Sequence, residues 1–582
     1  MRCMLFAVLA VAAVLRLCAA DPYVGYIYPA GMQAGTTNRL VVGGQFFWDI
    51  LGGDAGEGVR VLGIEPVPRF PVPARDQRRH LVAWLDRLAK GVREPPPLPA
   101  EGVRLDEWHS NSWYTALGDL DAGKRALVER FLHEPRNALQ MSPALGQKLL
   151  VTVAVDADAV PGVREFRVYN ARGVSPPRPF LVSAAPHLPE PLYVPPHRKQ
   201  PAMPVVARVP CVLEGQILPG QQDRWTLPLA RGEAVTLRAV ARELQPYIGD
   251  AVPGFFNPVL RVYDREGREC AFADDYYHHP DPVLTFTAPD DGDYAVVVHD
   301  NLYRGRDDFT YLLDVRRGVW RPPLFDLSLS PPPPWEIPPS DLVRVFRGTI
   351  RAPGRGARHR LSVSAPGAYV FDLLARRVGS PLDARVTVWR GGEKLADVGD
   401  VANDVPLGSV MQAACDPIGQ VCLDRPGTYE FRVEDEAGLG GADYAYSLRL
   451  SRPRPRCEVW CLKSGLAFPG GRGGRRVGFR VVRRDGFDGA VRLEENDFVA
   501  FRPNVIPAAS NEVVVTAVCK IRGPCVLPHV ALTASFVRDG LSVETPVIPS
   551  DVYNQAFAWD HLLPARRFLL AVPPAPPPKR KK

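Results

Sequence analysis

Proline decides what this chain can become. Sixty-one prolines and fifty glycines make up about a fifth of its 582 residues. Proline removes a backbone donor and glycine weakens helices, so long bundles and coiled coils are excluded. The prolines are also bunched. Residues 186–204 hold seven, 321–339 hold eight, and Arg452-Pro453-Arg454-Pro455 makes a third break. Such stretches are extended and semi-rigid, and predict spacers between folded units. The fold class expected is mainly β: tandem β-sandwich domains joined by Pro-rich linkers, with a helical insert in the first.

The first twenty residues have the pattern of a secretory signal. Arg2 precedes the apolar run Met4–Leu15, and Cys18-Ala19-Ala20 offers small residues before Asp21. An exported protein of the periplasm, cell surface or extracellular space is therefore expected. Twelve apolar residues are too few for a span, which takes about 20, and no transmembrane segment is expected elsewhere. The formal charge of +7 falls to +1 once Arg2, Arg16 and the basic tail Lys579–Lys582 are set aside. A nearly neutral body argues against nucleic acid as partner. Envelope proteins or polysaccharide are the partners expected.

Four folded units follow. Residues 21–186 open with short β-prone runs between glycines, such as Leu40–Gln45, and close with Val151–Val155 and Glu165–Tyr169. Between them, about 72–146, lies the helical insert. Leu81, Val82, Trp84, Leu85, Leu88 and Val92 recur at helical spacing, and Asp121 precedes a second helix with Leu127, Val128, Phe131 and Leu132. A linker, 187–204, leads to a unit at 205–318. A second linker, 319–339, leads to a unit at 340–451. The fourth unit, 456–572, is β-rich and contains four cysteines, and 573–582 is a Pro-rich basic tail.

The middle units read as one divergent repeat. Pro219–Leu227 corresponds to Pro353–Leu361, Pro258–Asp264 to Asp383–Trp389, Asp291–Val298 to Arg425–Val433, and Phe309–Val315 to Tyr444–Leu450. Each is about 110 residues of alternating strands with frequent turns, a β-sandwich pattern.

Three stretches of the first copy carry a resemblance: Pro219–Leu227 (PGQQDRWTL), Leu260–Cys270 (LRVYDREGREC) and Ala288–Val298 (APDDGDYAVVV). They resemble the bacterial pre-peptidase C-terminal domain family, β-sandwich accessory domains of secreted peptidases and surface proteins. The second copy departs from it, with Trp389-Arg390-Gly391-Gly392 where the first has an acidic turn. The opening Tyr26–Phe47 resembles immunoglobulin-like TIG/IPT domains. These resemblances imply extracytoplasmic binding or support and no chemistry.

Asp264, Glu266, Asp274, Asp275 and Asp281, with His278 and His279 among them, form the one concentration of potential ligands. Calcium takes six to eight oxygens, and this set is the candidate site; otherwise the acids are turn residues. Calcium is the single cofactor considered. Tyr276, Tyr277 and Tyr303 are the candidate ligand-stacking aromatics, with core packing as the alternative. Setting Cys3 and Cys18 aside leaves an even eight: Cys211, Cys270, Cys415, Cys422, Cys457, Cys461, Cys519 and Cys525. Export favours disulfides. Grouped by segment they suggest Cys211–Cys270, Cys415–Cys422 and two bridges among the last four. Zinc, the other reading of the last four, prefers two to four residues between paired ligands. No metallopeptidase, nucleophile-elbow or phosphate-loop motif occurs. The sequence thus predicts a non-catalytic binding or structural protein of the cell envelope. The rivals are a calcium-dependent carbohydrate binder and a peptidase-associated hydrolase with no recognised motif.

Overall fold

The computed structural model describes residues 21–97, 111–133, 145–245, 255–277, 279–321, 342–399, 416–555 and 559–575. The predicted signal, nearly all of the second linker, the basic end of the tail, His278 and Cys415 lie outside them.

The first unit is a sandwich of two four-stranded sheets. Its strands are β1 (Tyr23–Tyr28), β2 (Gly31–Gln33), β3 (Thr37–Gln45), β4 (Gly52–Asp54), β5 (Val59–Pro66), β6 (Gln147–Val155), β7 (Gly162–Tyr169) and β8 (Arg178–Ser183). One sheet runs β1-β3-β6-β5 and the other β2-β8-β7-β4. The insert sits between β5 and β6 as helices Arg75–Ala89 and Ala122–His133. Asp121 starts the second by accepting the Lys124 amide at 2.9 Å. Leu81, Leu85, Val128 and Leu132 are buried with Trp113 and Tyr114 against Leu150 of β6. The apolar stripe read from the sequence therefore lies on the parent sheet.

The first linker is not a free spacer. His187–Pro189 forms β9 and pairs in parallel with β10 (Cys211–Gln216). The second unit continues with β11 (Asp223–Leu229), β12 (Ala234–Val240), β13 (Pro258–Tyr263), β14 (Glu269–Ala273), β15 (Val283–Thr287), β16 (Gly292–Asp300) and β17 (Thr310–Arg317). Its sheets run β15-β12-β17-β10-β9 and β11-β16-β13-β14. The third unit has β18 (Leu342–Thr349), β19 (Ala357–Val363), β20 (Gly367–Leu374), β21 (Ala384–Arg390), β22 (Glu393–Val398), β23 (Ile418–Leu423), β24 (Gly427–Asp435) and β25 (Ala445–Ser451). Its sheets run β23-β20-β25-β18 and β19-β24-β21-β22. Strand for strand, the order is that of the second unit, without an equivalent of β9.

The repeat extends to side chains. Gly215 faces Tyr311 across one pair, and Gly348 faces Tyr446 across its counterpart. A Cβ on Gly215 would stand 2.3 Å from the Tyr311 ring, and one on Gly348 2.4 Å from the Tyr446 hydroxyl. Trp225 donates to the Tyr311 hydroxyl at 2.9 Å, and His359 bonds the Tyr446 hydroxyl at 2.8 Å. Tyr294 and Tyr429 each donate to a carbonyl four residues upstream, at 2.9 Å.

One feature is inverted between the copies. After β12 a 3-10 turn, Arg242–Leu244, brings Glu243 back to Arg238 at 2.8 Å. After β20 the turn Arg376–Val378 brings Arg377 back to Asp372. The base leads in one copy and the acid in the other, at the same two positions.

The fourth unit is a nine-stranded sheet against a three-stranded one. Its long strand Gly474–Arg484 lies between Arg456–Cys461 and Glu512–Cys519. Val459, Phe479, Phe501 and Phe568 fill its core. It also returns to the first unit: Val174 is buried with Ala467, Leu569 and Ala571. No helix among the described residues is long and apolar enough to cross a membrane.

Candidate ligand cleft

The acidic residues singled out in the second unit do not converge. Asp264 and Glu266 lie on the β13–β14 turn, where Arg268 bonds Asp264 at 2.7 Å and Arg265 bonds Glu266 at 2.7 Å. Asp274 and Asp275 are exposed beyond β14. Partial burial and the neighbouring Asp274 charge raise the Asp275 carboxyl above its ordinary value. Asp281 is buried elsewhere. It accepts the amides of Ala241, Arg242 and Glu243 at 2.9, 2.7 and 3.0 Å, closing the 3-10 turn. Among the described residues, one group has metal-ligand spacing: Glu243, His279 and Asp281. The repeat explains it without a metal. Asp416 accepts Ala375, Arg376 and Arg377 amides in the same way, with an arginine where the second unit has Glu243. Asp264, Glu266 and Asp281 are thus held within turns, and Asp274 and Asp275 are not gathered with them into one group.

The tyrosines divide. Tyr277 donates to Asp443 of the third unit at 2.7 Å and its ring meets Tyr444 edge-on at 6.1 Å. Tyr276 packs on Tyr277, with ring centroids 4.8 Å apart. These two dock one unit on the next. Tyr303 stacks on His299 at 4.6 Å and stays exposed. The cysteines differ from expectation too. All seven described ones are free thiols. Cys211 points into the core from β10, while Cys270 is exposed on β14 of the opposite sheet, so that bridge is not formed. Cys457, Cys461 and Cys519 are buried as small core residues, with Cys525 packed against them.

A cleft that the sequence did not announce lies where the first sandwich, the insert, the linker and the second sandwich meet. It encloses about 690 Å³, and its walls include Tyr26, Tyr28, Leu127, Tyr193, Leu192 and Met203. Alternation builds its polar floor. On β10, Cys211 and Leu213 face the sandwich core, so Glu214 and Gln216 face the opposite way, into the junction. Glu190, just past β9, reaches the same place from the linker, and Asp223 does so from the start of β11.

Glu190 and Asp223 are neighbours whose carboxyls titrate under each other's influence. Tyr28 donates to Glu190 at 2.6 Å and Tyr311 to Asp223 at 2.6 Å. Burial, then the neighbouring Asp223 charge, holds Glu190 well above the ordinary carboxylate range. Burial pushes Asp223 up to about 6. Two neighbouring like charges cannot both ionise cheaply, so the pair retains a proton near neutrality. Beside it, Arg130 donates to Gln216 at 2.9 Å and, with Lys148, pairs with Asp307. Burial alone would raise Asp307, but Lys148 and Arg130 outweigh it and hold that carboxyl at about 2. The floor thus alternates donors and acceptors beneath aromatic and aliphatic walls.

No known protein family matches the chain. No curated protein matches it either. Among solved structures, the pre-peptidase C-terminal domain of a collagenase from Bacillus anthracis is similar at 15% identity, covering 20% of this chain and 100% of that one, with a TM-score of 0.15. A β-glycosidase from Bacteroides vulgatus is similar at 11% identity over 36% of this chain and 27% of that one, with a TM-score of 0.18. The ICAM-5 D1–D4 ectodomain fragment is similar at 12% identity over 94% of this chain and 100% of that one, with a TM-score of 0.12. Likenesses of this size assign neither activity nor ligand to the chain.

Proposed function

We propose that the chain is a non-catalytic, exported binding protein of the cell envelope, and that the cleft between its first two units takes a saccharide. The cleft carries the reading. Tyr28 and Tyr193 line it half-buried and are the rings within reach of a sugar, and its floor presents carboxyl, amide and guanidinium groups with the mixed hydrogen-bonding capacity that hydroxyls require. The reading requires no calcium, since Asp264, Glu266 and Asp281 lie in turns away from the cleft walls.

A hydrolytic reading has one observation in its favour, the paired Glu190 and Asp223. Glycosidase carboxyls stand roughly 5–9.5 Å apart to admit the sugar carbon or a water. Here both carboxyls are already engaged by buried or half-buried tyrosines, Glu190 by Tyr28 and Asp223 by Tyr311, which favours binding over turnover.

Titration calorimetry of the chain with soluble cello- and chito-tetraose, with and without chelator, tests the proposal. Binding that ignores chelator and is lost on Leu127→Trp, which narrows the cleft, supports it. Binding that survives that change, no heat at millimolar sugar, or cleavage of the tetraose would overturn it.

A further inference from the structure

The two repeats differ at one edge. In the second unit β10 would end its sheet, but the linker strand β9 covers it, with Val212, Leu213 and Glu214 opposite His187, Leu188 and Pro189. Its counterpart β18 ends its sheet with no further strand among the described residues. It is longer, Leu342–Thr349, and Val343, Arg344, Val345 and Arg347 are exposed. An uncovered edge strand presents a row of backbone donors and acceptors and is a template for another strand.

Charge decides what that strand is. Arg344 rests over the Phe346 ring, 5.6 Å from its centre. Phe346 itself stacks on His359 at 4.7 Å. Neither Arg344 nor Arg347 has an acidic partner among the described residues, whereas Arg238, Arg377 and Arg385 each hold one. A second copy of β18 would set arginine against arginine, and like charges directly opposite one another are destabilising.

We propose that β18 is a docking edge for an extended acidic segment of another polypeptide, added as a strand in the place that β9 takes in the second unit. Backbone pairing supplies the affinity and the arginines select the acidic partner.

Fluorescence anisotropy on the full chain tests this with three labelled nonapeptides. One alternates Val and Glu, one alternates Val and Lys, and one is the acidic peptide with alternate backbone nitrogens methylated. The expected result is binding of the first alone, weakened at least tenfold by Arg344→Glu with Arg347→Glu. Both positions are on the surface, and an unchanged melting temperature shows that the variant folds. Equal binding of the methylated peptide would reduce the effect to charge and overturn strand addition. Binding of the lysine peptide, or of none, would overturn the proposal, the last outcome meaning that the edge is covered by the chain itself.

Discussion

The guanidinium of Arg167, on β7, donates to the carbonyl of Ser464 at 2.9 Å although the two residues are 297 positions apart. Arg167 is fully buried and paired with Glu165 at 3.0 Å, and Glu165 also accepts the Arg566 amide. One side chain therefore joins the first unit to the fourth, where water cannot compete.

Replacing Arg167 by leucine leaves Glu165 buried with only Arg567, at 3.5 Å, to balance it. Breaking such a pair costs about 3–5 kcal/mol. The urea midpoint should fall accordingly. Hydrogen exchange should accelerate at Gly465–Ala467 and in β7 together, and not in the third unit.

The inverted ion pairs give a rescue experiment. Arg238→Asp sets two carboxylates together beneath the 3-10 turn and should destabilise the second unit by about 3–5 kcal/mol. Adding Glu243→Arg recreates the arrangement of the third unit, with Asp281 standing where Asp416 does. The double variant should recover more than half of the loss in thermal unfolding, and a further loss would refute the equivalence of the copies.

Acidity should act twice, with opposite signs. Asp223 rises from 3.8 to about 6 in the fold, so the folded state binds its proton more tightly. Its contribution is most favourable below pH 4 and declines as the pH rises to about 6. Asp307 drops from 3.8 to about 2, so its contribution is present above pH 4 and is lost as the pH falls towards 2. Melting temperature against pH should show both limbs. Asp223→Asn should flatten the upper one and Asp307→Asn the lower.

The free thiols can be counted. Cys270 is exposed and should react with a disulfide reagent in the native state. Burial pushes Cys211, Cys457 and Cys461 up to about 12, so these should react only after denaturation. A silent Cys270 would reinstate the bridge.

Much of the architecture was legible because it is written locally. Pro and Gly mark boundaries, strands alternate, and Leu81, Leu85, Val128 and Leu132 repeat at helical spacing. The inward-facing residues of the repeat also matched, because each copy must fill the same core. The site was not legible for the opposite reason. Glu214 and Gln216 look like the solvent face of a strand, and nothing local says that another domain covers them. Glu190 lay in a segment read as a spacer. Asp281 looked like a ligand because an acid that caps a turn has the same sequence signature as one that holds a metal.

The inverted pairs have a consequence for how the chain assembles. Tandem sandwiches of one topology can exchange strands while folding, and neighbouring copies are where such errors concentrate. The inversion continues across the strand pairs, where Arg238 stands opposite Asp314 of β17 and Asp372 opposite Arg449 of β25, so if β12 and β20 traded places Arg238 would meet Arg449 and Asp372 would meet Asp314. Both hybrids would bury like charges, so each half recognises its own partner and rejects its neighbour's. Four side chains thus give two otherwise interchangeable domains separate identities during synthesis.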